Sequence, residues 1–281
     1  MYFRSITYAT VLKAVRKLVY DANFILPEDV LTALTTTTHT VHGRERRIMD
    51  AIIHNAEIAK TDELPVCQDT GIGVFFVELG SNVLIENGTL SDALNCAVRE
   101  VYTEFSLRAS VVSDPIKRQN TTDNTPVIIH ITMISGDDLK ISFLPKGAGS
   151  ENVSALKMFP PTIERKDIIG FVCDTVKNAG PNPCPPVLIG VGLGGTFEYA
   201  PLLAKRALLR PIGQRHPENE IASLEDDILK AVNETGVGIQ GLGGSVTALD
   251  VFVETFACHI ASFPIAVNIN CHAARHASVT L

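Results

Sequence analysis

Three cysteines set the strictest demand on how this chain folds. Cys67 lies in PVCQDTG, Cys184 in PNPCPPVLIGVGLGG and Cys271 in NINCHAARHA, each between turn formers or at the end of an apolar run. They are far apart in sequence, so only tertiary structure can bring their thiols to one place. A core cysteine would occupy a periodic apolar position, and these three do not. Cys96 and Cys173, by contrast, fall within amphipathic helical stretches and Cys258 within a strand-like apolar run, so these read as core residues. Three loop thiolates with no comparable fourth suit a cubane iron–sulfur cluster that leaves one iron open. An open iron can take a substrate oxygen as a Lewis acid.

Composition narrows the classes of function. At 281 residues, with 46% hydrophobic and 20% charged residues, the chain can bury a large core, as one large domain or two small ones. A net charge of −7 and scattered basic residues argue against a nucleic-acid or anionic-membrane surface as the main partner. The densest basic string, GRERR at 43–47, reads as a solvated helix face. The sequence has no 18-residue apolar window for a membrane span. The N-terminal MYFRSITYATVLKAVRKL lacks the apolar core and cleavage site of a secretory leader. The expectation is a cytoplasmic protein, in which six cysteines mean thiols or metal ligands rather than disulfides.

Periodicity predicts a mixed α/β fold: a helical lead-in over about residues 1–62, then a mixed sheet flanked by helices. VLKAVRKLV and RIMDAIIHNAEIA carry apolar residues at helical spacing, and Pro27 suits the first turn of PEDVLTAL. GVFFVELG reads as a strand, and Leu90–Ser110 as a helix. TPVIIHITMI and DLKISFLP, separated by SGDD, read as a hairpin. A helix ends at Gly180, followed by the strand PVLIGVGLGG, the helix TFEYAPLLAKRALL and the loop RPIGQRHPEN. The helix LEDDILKAVNETG, the glycine loop GVGIQGLGGS and two β-rich runs complete the chain, with no internal sequence repeat.

Other motifs carry weaker signals. GVGLGG and GVGIQG both fit GxGxxG, but neither has the strand, helix and acidic residue of a dinucleotide fold in the required order. A helix N-terminus capped by Thr196 would offer amides to a carboxylate instead. His272 and His276 stand four apart and, with Cys271, have zinc-ligand character; as an alternative they form an exposed basic segment. Asp69 is either an Asx-turn residue or a general acid–base beside a ligand.

The strings PVCQDTG, KGAGSEN, AGPNPCPPVLIGVGLGGTFEYAPLLAKRALLRPIGQRHP and NCHAARHA resemble the α subunit of class I iron–sulfur fumarate hydratases and the related L-tartrate dehydratases. The resemblance covers roughly residues 45–281. It implies that Cys67, Cys184 and Cys271 hold a [4Fe-4S] cluster with one iron not ligated by protein. It further implies that Gln68 contacts substrate, that Asp69 transfers a proton, and that Arg108 in SLRAS grips a substrate carboxylate. His259 matches a substrate-pocket histidine. Ala148 and Gly149 lie in a loop that matches one offering backbone amides to substrate in the family; Ala148 replaces a glycine of the family pattern there.

Single-chain family members carry a further C-terminal domain with more carboxylate-binding groups and a catalytic threonine. The expectation is therefore that residues 1–281 form an α-type domain without that C-terminal (β) catalytic domain. The missing groups would come from a separate β subunit in an α2β2-type assembly. Here Arg165, Arg206, Arg210 and Arg215 offer no evident second clamp, and Arg275 stands near Cys271. The implied activity is reversible hydration of fumarate to malate, with L-tartrate dehydration to oxaloacetate as the close rival. A non-catalytic electron-transfer or iron-sensing protein is the rival from another class, but such a site needs no carboxylate clamp.

Overall fold

Side-chain caps and glycines decide where the helices begin and end. The computed structural model describes residues 3–281. Its elements run β1 (Arg4–Thr7), α1 (Tyr8–Phe24), α2 (Glu28–Thr40), α3 (Gly43–Thr61), β2 (Ile72–Gly80), β3 (Val83–Glu86), α4 (Leu90–Glu104), β4 (Ile128–Ile134) and β5 (Leu139–Lys146). Next come α5 (Ala148–Glu151), β6 (Ala155–Phe159), α6 (Arg165–Ala179), β7 (Val187–Gly194), α7 (Tyr199–Ala207), α8 (Asn219–Asn233), β8 (Ala248–Phe256), β9 (Phe263–Asn270) and β10 (Ala277–Thr280). Thr7 and Thr89 accept from the amides of Thr10 and Asp92, so each satisfies a donor that its helix leaves unpaired. Glu164 and Asp167 form a capping box on α6, and Gly180 closes that helix at φ 54°. The fold is mixed α/β, and α1 to α3 fill most of the expected helical lead-in.

The chain forms two compact units. The first comprises the residues up to Pro27, Ala56–Gly147 and Arg275–Leu281; the second comprises Glu28–Asn55 and Ala148–Ala274. In the first, the sheet order is β10-β5-β2-β4, with β2 antiparallel to β5 and parallel to β4. Helices α1 and α4 cover one face, burying Val15, Val19, Leu94 and Val98 against Phe75, Val77, Ile141 and Phe143. Each such side chain stabilises the fold by about 1.5–3 kcal/mol relative to exposure.

The expected hairpin is not formed, because β4 and β5 flank β2 instead of pairing with each other. Their connection straddles the end of β2: the Gly80 amide donates to Asp138 O and the Ser81 amide to Ile134 O, both at 2.8 Å. The apolar content explains the insertion. Val74, Phe75, Phe76 and Val77 are all buried, so β2 needs a neighbour on both sides, whereas β4 exposes Ile131 and Met133 at an edge.

The second unit has the order β6-β9-β7-β8, again with one parallel pair, β7 and β8. Helices α6 and α8 pack on one face through Val172, Val176, Ile228 and Val232 against Ile189, Val191, Val251 and Val267. Helix α7 takes the other face through Ala200 and Ala204. This explains GVGLGG without a nucleotide. A Cβ on Gly192 would come within 2.1 Å of Ala200 O, and one on Gly190 within 2.0 Å of Ala204 O. Those glycines let a helix backbone lie directly on a strand.

Candidate functional site

In the first unit, one tight loop carries Cys67, Gln68 and Asp69, and its neighbours latch nearly every residue. The Val66 amide donates to Asn23 O at 2.9 Å. Arg108 Nη1 donates to Gln68 Oε1 at 3.0 Å, and Thr70 Oγ1 donates to Arg108 O at 2.7 Å. Tyr102 OH donates to Thr70 O at 2.6 Å, and Asn124 Nδ2 to Gly71 O at 3.0 Å. Gly71 turns the chain at φ 67° where a Cβ would meet the Lys146 carbonyl carbon at 2.5 Å. No other residue fits there without moving that backbone.

Asp69 closes an Asx turn through Oδ1, which accepts from the Gly71 amide at 3.0 Å. A Cβ on Gly147 would come within 3.1 Å of Asp69 Oδ2, so that oxygen packs closely on the Gly147 backbone. The two sequence alternatives for Asp69 are therefore compatible: the turn fixes the carboxylate at the loop surface, beside the Arg108–Gln68 pair. Arg275, with 3% exposure, donates through Nη2 to the Asp69 carbonyl. Burial pushes the Tyr102 phenol up to about 12, while the nearby Arg275 charge pulls it down. The sequence placed Arg275 near Cys271, and folding puts its guanidinium on the main chain of Asp69. Arg108 itself is exposed, so its fork can meet a solute carboxylate.

In the second unit, Cys184 is exposed on the turn before β7, and Cys271 is half-buried just after β9. The Cys184 amide donates to Pro181 O at 2.9 Å, and its carbonyl accepts from the His272 amide at 3.4 Å. Gly149 lies on this turn, since a Cβ there would come within 2.9 Å of Asn182 O. Ala148 and Gly149 are exposed in the single helical turn α5, where a turn-rich loop is expected from the sequence. Glu151 anchors that turn by accepting from Lys205 Nζ and from Asn268 Nδ2. His259 is exposed between β8 and β9, its Nδ1 accepting from the Ala261 amide at 3.1 Å.

Several expectations change. Cys173 is buried and Cys96 half-buried, with Sγ 3.3 Å from Glu100 Oε1, but Cys258 is exposed because β8 stops at Phe256. The helix after GLGG is not capped by Thr196. It starts at Tyr199 behind Glu198, whose carboxyl is lowered by its own main-chain N–H and by the Thr196 hydroxyl. Among the described residues, no three His, Cys, Asp or Glu side chains converge as ligands of a single metal ion, so the Cys271–His272–His276 zinc arrangement is not formed.

The first unit thus holds Gln68 and Asp69 beside an exposed Arg108, and the second carries Cys184 and Cys271 at the ends of its strands. The chain belongs to the fumarate hydratase (Fumerase) family, whose profile matches residues 12–280. It is 41% identical over 264 residues to the "Putative L(+)-tartrate dehydratase subunit alpha" of Methanocaldococcus jannaschii, covering 92% of both chains. It is 31% identical over 258 residues to the L(+)-tartrate dehydratase subunit alpha of Escherichia coli K12 and of Shigella sonnei, covering 90% of this chain and 85% of each relative. Among the described residues no helix is long and apolar enough to cross a membrane.

Proposed function

We propose that this chain is the α subunit of a hydro-lyase acting on a four-carbon dicarboxylate, with fumarate and malate as the reacting pair. The observation that carries the reading is the Gln68–Asp69 turn held against Arg108 in a member of the fumarate hydratase family. Cys67, Cys184 and Cys271 would hold a [4Fe-4S] cluster. Their chemistry fits it: all three sit on turns, Cys184 is exposed, and a cubane takes one thiolate per iron, so its ligands need not converge on a point. When bound, the cluster supplies a Lewis acid that polarises the C–O bond being broken or made.

The chain's own groups do the remaining work. Arg108 grips one substrate carboxylate with two parallel hydrogen bonds, fixing its plane and neutralising charge that builds up as the C3 proton leaves. Gln68, held by the same guanidinium, gives a polar contact beside it. Asp69 moves the proton: in the dehydration direction malate loses a C3 proton and its C2 hydroxyl, giving fumarate and water. Gly149 would offer its main-chain amide and His259 a polar side chain to the substrate. A dicarboxylate has two ends and Arg108 accounts for one, so a β subunit completes the site, in keeping with the subunit names of the relatives. An α2β2-type, cytoplasmic assembly follows from the same reading.

The names of those relatives favour a second reading, dehydration of L-tartrate to oxaloacetate. The two substrates differ by one hydroxyl, and KGAGSEN supports the fumarate reading. The test is turnover of fumarate, L-malate and L-tartrate by the reconstituted subunit pair. Turnover of none of them would overturn both readings. In the active pair, Arg108→Lys is expected to lower kcat/KM by about 10- to 100-fold with the cluster intact. Lysine keeps the charge but not the fork, a loss of about 1.5–3 kcal/mol. Unchanged steady-state kinetics would make Arg108 structural.

A further inference from the structure

The glycine-rich segment 236–245 plays no part in this chemistry, yet its Gln240 lies on the turn that carries Cys184. The Gln240 amide and its side-chain Nε2 each donate to Pro185 O at 2.8 Å. The same Nε2 stands 3.2 Å from His272 Nδ1, and His272 Nδ1 lies 2.8 Å from Cys184 O. A carbonyl oxygen can only accept, so the contact to Cys184 requires the proton on Nδ1. With Nδ1 donating, it has no lone pair for Gln240, whose amide holds Pro185 instead. The His272 main-chain amide reaches the same Cys184 oxygen at 3.4 Å. His272 directly follows Cys271, so this one residue joins the turn of one cysteine to the segment of the other.

The backbone points the same way. Cys184 and Gln240 both have φ 54°, a left-handed conformation rare for residues with side chains. Such a conformation persists only where the surroundings over-determine it, and here they do so around a thiol. We propose that Gln240 and His272 are positioning residues that fix the Cys184 and Cys271 thiols for the cluster. The inference rests on the cofactor reading above. It extends the general pattern in which groups behind the ligands set their orientation, and in which losing one costs about 10- to 100-fold in metal affinity.

The test is the rate at which anaerobically reconstituted protein loses its visible cluster absorption to an iron chelator. His272→Leu removes the Nδ1 donor, and Gln240→Glu turns a donor into a carboxylate facing a carbonyl. Both should lose the cluster about 10- to 100-fold faster than wild type. His272→Asn, which keeps an N–H near the Nδ1 position, should recover most of the retention. Gln240→Gly relaxes the left-handed backbone while removing the amide side chain. It should melt near the wild-type temperature and still lose the cluster quickly, which a merely structural role would not produce. Retention in His272→Leu and Gln240→Glu equal to wild type overturns this inference alone. A wild-type chain that takes up no cluster overturns the cofactor reading, and this inference with it.

Discussion

Cys184→Ala is expected to abolish both the visible cluster absorption and hydro-lyase activity while leaving the fold as stable as wild type. The thiol is exposed, so its removal deletes little buried surface and leaves no cavity. Alanine at φ 54° meets the same backbone restriction as cysteine, so no new strain appears. The neighbouring hydrogen bonds, from the Cys184 amide to Pro181 O and from His272 to Cys184 O, use main-chain atoms that alanine keeps. What disappears is a thiolate, a soft iron ligand that a methyl group cannot replace. Cys96→Ala is the control. It sits in α4 beside Glu100, and its loss should leave absorption and turnover unchanged. Measuring melting temperature, absorption per chain and turnover on the same preparations separates ligand loss from unfolding. A Cys184→Ala protein that keeps a stable cluster would remove Cys184 from the ligand set.

The reason these cysteines could be placed at turns and strand ends from the sequence is local. Proline, glycine and aspartate around them announce turns, and a turn is a short-range property of the sequence. Asp69 was legible for the same reason, since CQDTG encodes the Asx turn that the fold contains. Long apolar strands and helices were legible through their periods. Pairing was not. VIIHITMI and DLKISFLP have a hairpin's spacing, and nothing local says that Ile72–Gly80 inserts between them. The short strands β1, β3, β6 and β10 carry too few alternating residues to register. Cys258 was misread because FACHI continues an apolar run past the point where β8 ends. The grip of Arg275 on Asp69, and the contact of Gln240 with the Cys184 turn, join residues far apart in sequence and left no local trace.

The largest stability effect is expected at Glu225, in α8. In LEDDILK three acidic side chains follow one another, and only the helical phase of α8 separates them. Glu225 has no exposed side-chain surface, whereas Asp226 is 66% exposed. Burial of a carboxylate is tolerable only with partners on all sides. Glu225 pairs with Arg210, lies 3.8 Å from Arg215 Nη1, and accepts from the amides of His216 at 3.0 Å and Val253 at 2.8 Å. It therefore pins the loop RPIGQRHP to β8. Glu225→Ala would strand the buried Val253 amide and the half-buried His216 amide and remove the partner of an arginine that is itself only 11% exposed. Arg210 keeps Glu254 at 2.5 Å, which limits the damage without cancelling it. Breaking one side of a buried pair costs about 3–5 kcal/mol. That is a large share of the roughly 5–15 kcal/mol that holds a domain folded. Asp226→Ala, which breaks only the exposed contact to Arg215 at 3.1 Å, should cost no more than about 1 kcal/mol. Equilibrium urea unfolding of the two variants checks the contrast. Equal, small losses would mean that Glu254 and Asp250 carry the loop's cations without Glu225, and that its burial is a matter of packing alone.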